Sequence, residues 1–280
     1  MLLPDFIEIE TSRYCNRRCP WCPNGPMAFR TEQELMPWDL FERLILQLAD
    51  HRFSGWIALH NYNEPLANPR LVTELAFIAG RLRHSKPSIF TNGDLLNSEM
   101  VRALCNAGVS YLRVMRYPPL SQAMAAQSDH QIADWLDHKN ILTICDWKVC
   151  PVRQGCAAFG EIQQMKIEVI VPNISLYNWR GGTTSIPLGC ERTLPCSLTT
   201  RSAAIDFAGR LKMCCNVYPE APDHANYVIG SLNTHSFAEL WESSVMEKFR
   251  YAHVRSDWSV SPICSRCTQT LPRDFPTVVD

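Results

Sequence analysis

Apolar and polar residues alternate over 5–11 (DFIEIET), between Pro4 and a cysteine-rich loop, and this period of two predicts a strand. Over 37–50 the period changes to helical spacing, with Pro37 suited to a first turn. The two patterns then take turns. Strands are predicted at 55–60, at 88–91 (ended by Asn92–Gly93) and at 109–115, with helices at 69–83 and 98–106, the second closing at Gly108. A helix over 121–138, a strand at 141–145, a weaker helix at 152–164 and a strand at 165–171 complete the series. Six strands separated by helices predict an α/β fold with a parallel sheet and helices outside it. Too few for eight-stranded closure, they suit a partial, open (β/α)6 TIM-like barrel. The character changes after Pro172, where 173–235 is rich in Gly, Pro, Asn, Ser and Thr. There 203–207 and 210–213 read as a β-hairpin turning at Ala208–Gly209, and 237–253 reads as a helix capped by Ser236. The expected division is a barrel over 1–182 and a small cysteine-rich hairpin-plus-helix domain over 183–280.

Composition narrows the function more than the fold. Of the 280 residues, 46% are hydrophobic, enough for a sizeable core. Lys+Arg number 27 against 28 Asp+Glu, so there is no basic stripe of the kind that binds nucleic acid. The N-terminus lacks a basic segment followed by an apolar one, and no apolar run approaches the roughly 20 residues a membrane helix needs. A cytoplasmic protein is expected, with no nucleic acid and no membrane as partner. Thirteen cysteines are many for that compartment, and clustered cysteines there read as metal or cluster ligands rather than disulfides. Cys105, Cys145, Cys150 and Cys156 lie between the clusters and read as small buried apolar residues.

Cys15, Cys19 and Cys22 form C-x3-C-x2-C directly after the first strand. Three thiolates on one short loop can hold three corners of an iron–sulfur cubane and leave one iron open. An open position marks a reactive centre; a structural zinc knot, the alternative, wants a fourth ligand. With aromatic Trp21 before its third cysteine, this loop resembles the signature of the radical S-adenosylmethionine (SAM) superfamily. That resemblance implies a catalytic [4Fe-4S] cluster whose open iron chelates SAM, and a 5′-deoxyadenosyl radical that abstracts hydrogen from a substrate. Asn61-Tyr62-Asn63-Glu64-Pro65, after the second strand, is similar to the Gly-Gly-Glu-Pro segment of that family, which implies that Glu64 holds the SAM ammonium. Tyr62 and Asn63 replace its glycines, so the backbone approach is looser or Asn63 is left-handed. Thr91-Asn92-Gly93 is by itself a common turn, but it resembles the Thr-Asn-Gly segment lining the family's site. Arg116 and Asp146, near the ends of the fourth and fifth predicted strands, are the candidates for the SAM ribose.

In the C-terminal part, Cys196 is followed after 17 residues by Cys214, and later by Cys264-Ser-Arg-Cys267. Four thiolates suit a second cluster or tetrahedral zinc equally on spacing. The hairpin, Ile229-Gly230-Ser231-Leu232, Leu240-Trp241 and the last cysteine pair resemble, in that order, the twitch or SPASM domain of radical SAM enzymes. This implies an auxiliary [4Fe-4S] cluster on Cys196, Cys214, Cys264 and Cys267, with Cys215 able to replace Cys214. Arg180, beside Gly181–Gly182 at the domain seam, is a candidate for holding a polar substrate or assisting proton removal. The expected reaction is oxidation of an alcohol of a small polyol, aminocyclitol or sugar, with the auxiliary cluster accepting an electron. A redox-neutral epimerase is the first alternative, with Cys145, Cys190 or Cys215 donating hydrogen. A peptide maturase is the second; with the first ligand at residue 15 it would take its peptide through a separate partner. A non-catalytic iron–sulfur protein is the third. The resemblance implies an electron donor such as flavodoxin or ferredoxin.

Overall fold

The computed structural model describes residues 3–26, 33–117, 129–152, 155–172, 178–186 and 190–269. In it, the alternation of the first strand, β1 (Phe6–Ile9), becomes two faces. Ile7 and Ile9 are fully buried against the helical layer, while Phe6 and Glu8 line an interior cavity. The first repeats follow as α1 (Trp38–Asp50), β2 (Trp56–Ala58), α2 (Leu71–Arg81), β3 (Lys86–Thr91), α3 (Ser98–Asn106), β4 (Tyr111–Met115) and α4 (Asp129–His138). Helix α1 buries Leu40, Phe41, Leu44, Ile45 and Leu48 along one side. Each such side chain stabilises the fold by roughly 1.5–3 kcal/mol. The Asn97 side chain caps α3 by accepting the Met100 N–H at 2.8 Å.

The rest of the sheet comes from β5 (Lys148–Val152), β6 (Gly155–Ile162) and β7 (Met165–Pro172), then, after the four-residue helix α5 (Leu198–Arg201), from β8 (Ser202–Ile205), β9 (Arg210–Lys212) and β10 (Val228–Ser231). The chain ends in α6 (Phe237–Trp241) and α7 (Ser244–Val254). Spatial order is β10-β9-β8-β1-β2-β3-β4-β7-β6-β5. From β8 to β7 neighbouring strands are parallel, and the sheet stays open. The partial α/β barrel is therefore present, with β8 of the C-terminal part paired in parallel to β1.

Three expected elements need correction. Residues 141–145 form a turn, not a strand, because Asn140 takes a positive φ of 56° and Trp147 Nε1 donates back to the Ile141 carbonyl at 3.2 Å. The weak helix at 152–164 is mostly strand β6, antiparallel to β7 along its whole length. Its alanines suit a helix, but pairing to an adjacent strand overrides that weak local preference. The helix at 237–253 is two helices. The Ser236–Glu239 capping box starts α6, and Ser243 caps a new start by accepting the Met246 N–H at 3.3 Å. The hairpin at Gly209 (φ +79°) is β8–β9 as expected. Of the helix expected at 121–138, residues 121–128 lie outside the described ones.

Candidate active site between two groups of thiols

The loop after β1 folds by tight turns: Cys22 N–H donates to the Cys19 carbonyl at 3.0 Å and Gly25 N–H to the Cys22 carbonyl at 2.9 Å. A Cβ on Gly25 would lie 2.3 Å from the Cys19 carbonyl oxygen, so only glycine closes this loop. Cys15, Cys19 and Cys22 thereby line one cavity of about 420 Å³. Burial pushes the Cys15 and Cys19 thiols up to about 12, and the neighbouring cysteines add to the rise. A cluster would take these thiols as thiolates and release their protons, and three soft donors on one short loop suit its corners. Among the described residues, Asp94 anchors the loop: Arg17 Nε donates to it at 2.6 Å and Asn16 Nδ2 at 2.8 Å. Asp94 follows the Thr-Asn-Gly turn directly, yet nothing in its local sequence pattern marks this role.

Glu64, Thr91 and Asn92 form the adjoining wall. Glu64 accepts from Thr91 Oγ1 at 2.5 Å, from Asn92 N–H at 2.9 Å and from Leu66 N–H at 3.1 Å. Burial nevertheless lifts its carboxyl to about 7, and among the described residues no lysine or arginine pairs with it. A buried carboxylate facing a cavity suits an arriving ammonium group, as SAM would present. Asn63 is not among the residues with positive φ; its side chain instead accepts the Asn61 N–H at 2.9 Å and closes the segment. Tyr62 N–H donates to Glu10 at 3.2 Å and its carbonyl accepts from Asn24 at 2.6 Å.

The same cavity is lined by Glu8, His60, Arg113, Arg180, Cys215 and Asn216. Glu8 accepts from Asn61 Nδ2 at 3.2 Å, receives the Cys215 thiol, and lies 3.5 Å from His60 Nε2. Burial pushes Glu8 up to about 7, with Lys212 and Arg180 opposing. Lys212 is fully buried and donates to Asn61 Oδ1 at 2.5 Å. Burial lowers His60 to about 3, so it is neutral; its ring stacks on Phe90 at 4.4 Å. Arg113 Nε donates to Glu168 at 2.6 Å, which fixes a cation on the cavity wall. Sequence reasoning missed Glu8, His60, Arg113 and Lys212. The alternation of β1 flags Glu8 as facing away from Ile7, but not that this face is a site.

Cys214 is buried in the apolar cluster against which Cys196 and Cys264 pack, and Cys215 packs at the edge of the same cluster. Cys214 lies beside Met213, Val217 and Phe249, and burial holds its thiol well above the usual range, with Cys215, Cys264, Cys196 and Cys267 adding to the rise. Cys215 also lines the cavity. Cys196, Cys214 and Cys264 share one apolar cluster and Cys267 acts on Cys214. Among the described residues no three donors converge on a single metal ion, while four thiols spaced around a site are a soft donor set of the kind that holds an iron–sulfur cluster. Arg192 joins the loops that carry the first and last of them, donating to the carbonyls of Leu194, Pro195, Cys267 and Gln269 at 2.8–2.9 Å. Cys190 is exposed and does not line the cavity, which corrects its expected catalytic placement. Neither do the ribose candidates: Arg113, Met115 and Tyr117 alternate inward from β4, leaving Arg116 out, and Asp146 is exposed beside the turn at 141–145.

Residues 9–115 match the family model of the radical SAM superfamily, and residues 196–268 match that of SPASM, an iron–sulfur cluster-binding domain. The S-adenosyl-L-methionine-dependent 2-deoxy-scyllo-inosamine dehydrogenase of Niallia circulans is 21% identical over 268 residues, covering 94% of this chain and 92% of that protein. The crystal structure of BtrN in complex with AdoMet and 2-DOIA is similar with a TM-score of 0.71 at 21% identity, over 96% of this chain and 94% of that one. BtrN in an open conformation gives 0.64 at 19% identity, over 95% and 93%. At these identities the likeness to the solved structures is one of fold.

Proposed function

We propose, since this chain belongs to the radical SAM superfamily and carries a C-terminal SPASM domain, that it oxidises an alcohol of a small polyol, aminocyclitol or sugar. The observation that carries this reading is the cavity of about 420 Å³ lined by the N-terminal cysteine loop together with Arg180 and with Asn216, whose amide faces Cys267 of the C-terminal thiols. The relative from Niallia circulans, which oxidises an aminocyclitol, supports the substrate class. When bound, SAM and the first cluster supply a radical that takes hydrogen from carbon, and the auxiliary cluster supplies an electron acceptor.

The remaining work falls to side chains. Cys15, Cys19 and Cys22 would hold the catalytic cluster, and Cys196, Cys214, Cys264 and Cys267 the auxiliary one. Glu64 would bind the SAM ammonium, with Thr91 and Asn92 orienting its carboxylate. Glu8, lifted to about 7, is the group suited to take the hydroxyl proton at working pH. Arg180 and Arg113 would orient substrate oxygens, and His60 would accept or donate as a neutral ring. With the expected division at 182/183, residues of both parts line this cavity, as a seam site would require. A cytoplasmic location and a flavodoxin or ferredoxin donor accompany the reading; no helix among the described residues is long and apolar enough to cross a membrane.

The test is anaerobic turnover of reconstituted protein with reductant, SAM and 2-deoxy-scyllo-inosamine. One ketone and one 5′-deoxyadenosine per turnover is the expected result. SAM cleavage without ketone from any aminocyclitol or polyol supplied would sink the substrate class. A second reading, epimerisation, is favoured by one observation: the Cys215 thiol lines the cavity beside Glu8. Deuterium from solvent in recovered substrate, lost in Cys215→Ala, would establish it in place of oxidation.

A further inference from the structure

Two buried amides converge on one sulfur of the C-terminal group. Asn178 Nδ2 lies 3.1 Å from Cys267 Sγ, and Asn216 Nδ2 lies 3.8 Å from it. Both asparagines are 6% exposed. Which end of an amide faces a neighbour has to be decided from its hydrogen bonds, and here each oxygen is already engaged. Asn178 Oδ1 accepts from Arg180 N–H at 3.3 Å and from Thr268 N–H at 3.4 Å. Asn216 Oδ1 accepts from Arg180 Nη1 at 3.0 Å. Flipping either amide would set N–H against N–H, so both NH2 groups face the sulfur.

Arg180 organises the pair, one asparagine through its backbone and the other through its guanidinium. The chain spends conformational energy to hold it so. Arg180 has a positive φ of 51°, a region unfavourable for a residue with a side chain. Gly181 follows with φ +63°, and a Cβ there would lie 2.6 Å from His224 Nε2. His224 Nδ1 accepts the Tyr218 N–H at 3.0 Å, so Nε2 carries the proton and donates to the Gly181 carbonyl at 3.1 Å. The turn is thus clamped from outside, and Asn178 and Asn216 lie between the cavity and Cys267.

We infer that Asn178 and Asn216 set the reduction potential of the auxiliary cluster, raising it by donating to the Cys267 sulfur under the positive charge of Arg180. This rests on the reading that Cys196, Cys214, Cys264 and Cys267 hold that cluster. Reduction adds negative charge that spreads over the cluster and its ligating sulfurs. Donors aimed at such a sulfur favour the more negative state, and a nearby guanidinium strengthens them. The two asparagines are positioning residues: they touch a ligand, not the substrate, and they make the cluster a better electron acceptor.

The experiment uses the full chain with Cys15, Cys19 and Cys22 changed to Ala, so that only the C-terminal cluster remains, reconstituted anaerobically. Its midpoint potential is read by the paramagnetic signal of the reduced cluster, with and without Asn178→Leu or Asn216→Leu. Both variants should titrate lower. Asn178→Leu should shift the one-electron equilibrium about tenfold, near 59 mV, and Asn216→Leu less, following the distances. Asn216→Asp keeps the side-chain size, replaces a donor with a carboxylate and should fall further. It also keeps the test open where leucine prevents cluster uptake. Unchanged midpoints in variants that still hold about four irons would overturn the inference. A parent that takes up no iron would instead remove the cluster reading, and the inference with it.

Discussion

Glu8 and Glu64 are both buried carboxyls lifted to about 7, yet their surroundings assign them different work. Glu64 has three hydrogen-bond donors and, among the described residues, no cation paired with it, so a cationic ligand would complete it. Glu64→Gln should weaken SAM binding by roughly 30- to 100-fold, the worth of a hydrogen bond to charge, measured by equilibrium dialysis on reconstituted protein. An unchanged affinity would remove Glu64 from the SAM site. Glu8 carries a pH dependence. Its folded pKa stands above its unfolded value near 4.5, so the folded state holds the proton more tightly. Stability is then fully kept below about 4.5 and lost as pH rises toward 7, by on the order of 3 kcal/mol. Glu8→Gln should therefore stabilise the protein more at pH 8 than at pH 5, read by anaerobic unfolding curves. Equal effects at both pH values would contradict it. In turnover, the same proton predicts a rate that rises through about pH 7 in wild type and stays flat in Glu8→Gln.

Among the elements, the hairpin β8–β9 joins the two parts of the chain. β8 pairs with β1 while the Gly209 turn packs onto α1, where a Cβ would meet Leu40 Cδ2 at 2.7 Å. With φ at +79° added, Gly209→Ala should cost about 1–3 kcal/mol in denaturant unfolding. No loss of stability would show that the turn relaxes freely. The Arg192 staple belongs to the same scale. Arg192→Ala frees four carbonyls from one guanidinium and should lower iron at the C-terminal site while leaving the N-terminal cluster loaded. Equal loss from both sites would point to general unfolding instead. Elements with strong local signals were legible: β1, α1, α3 and the Gly209 turn follow from period, cap and glycine. Those that failed lacked such signals. The turn from β6 to β7 is Gln163–Gln164, with Gln163 at φ 53° in place of the expected Asn-Gly or Gly. The hairpin therefore read as a helix. The break between α6 and α7 rests on one serine cap inside an apolar pattern that runs through it.

At the scale of the whole molecule, the two thiol groups should load independently, because the first lines the cavity while Cys196, Cys214 and Cys264 pack in a separate apolar cluster. Iron and sulfide analysis is expected to give about eight irons in wild type and about four after removal of Cys15, Cys19 and Cys22. About four and none would leave the C-terminal thiols to zinc or to nothing. The sequence by itself marked the candidate cysteine ligands, the run of elements from β1 to β4 and the three segments expected to meet SAM. Spacing on a short loop leaves three thiolates few other arrangements, and strands of one parallel sheet present their C-terminal ends together. Only the tertiary structure decided which face of β1 is the site, since alternation separates Glu8 from Ile7 without saying where water is. It also separated Cys214 from Cys215, adjacent in the chain, one buried in the apolar cluster and the other lining the cavity toward Glu8. And it brought Asn178 and Asn216 onto Cys267 from separate segments of chain, with Arg180 bonded to both asparagines, a contact that no local pattern encodes because side chains meet across a fold through packing alone.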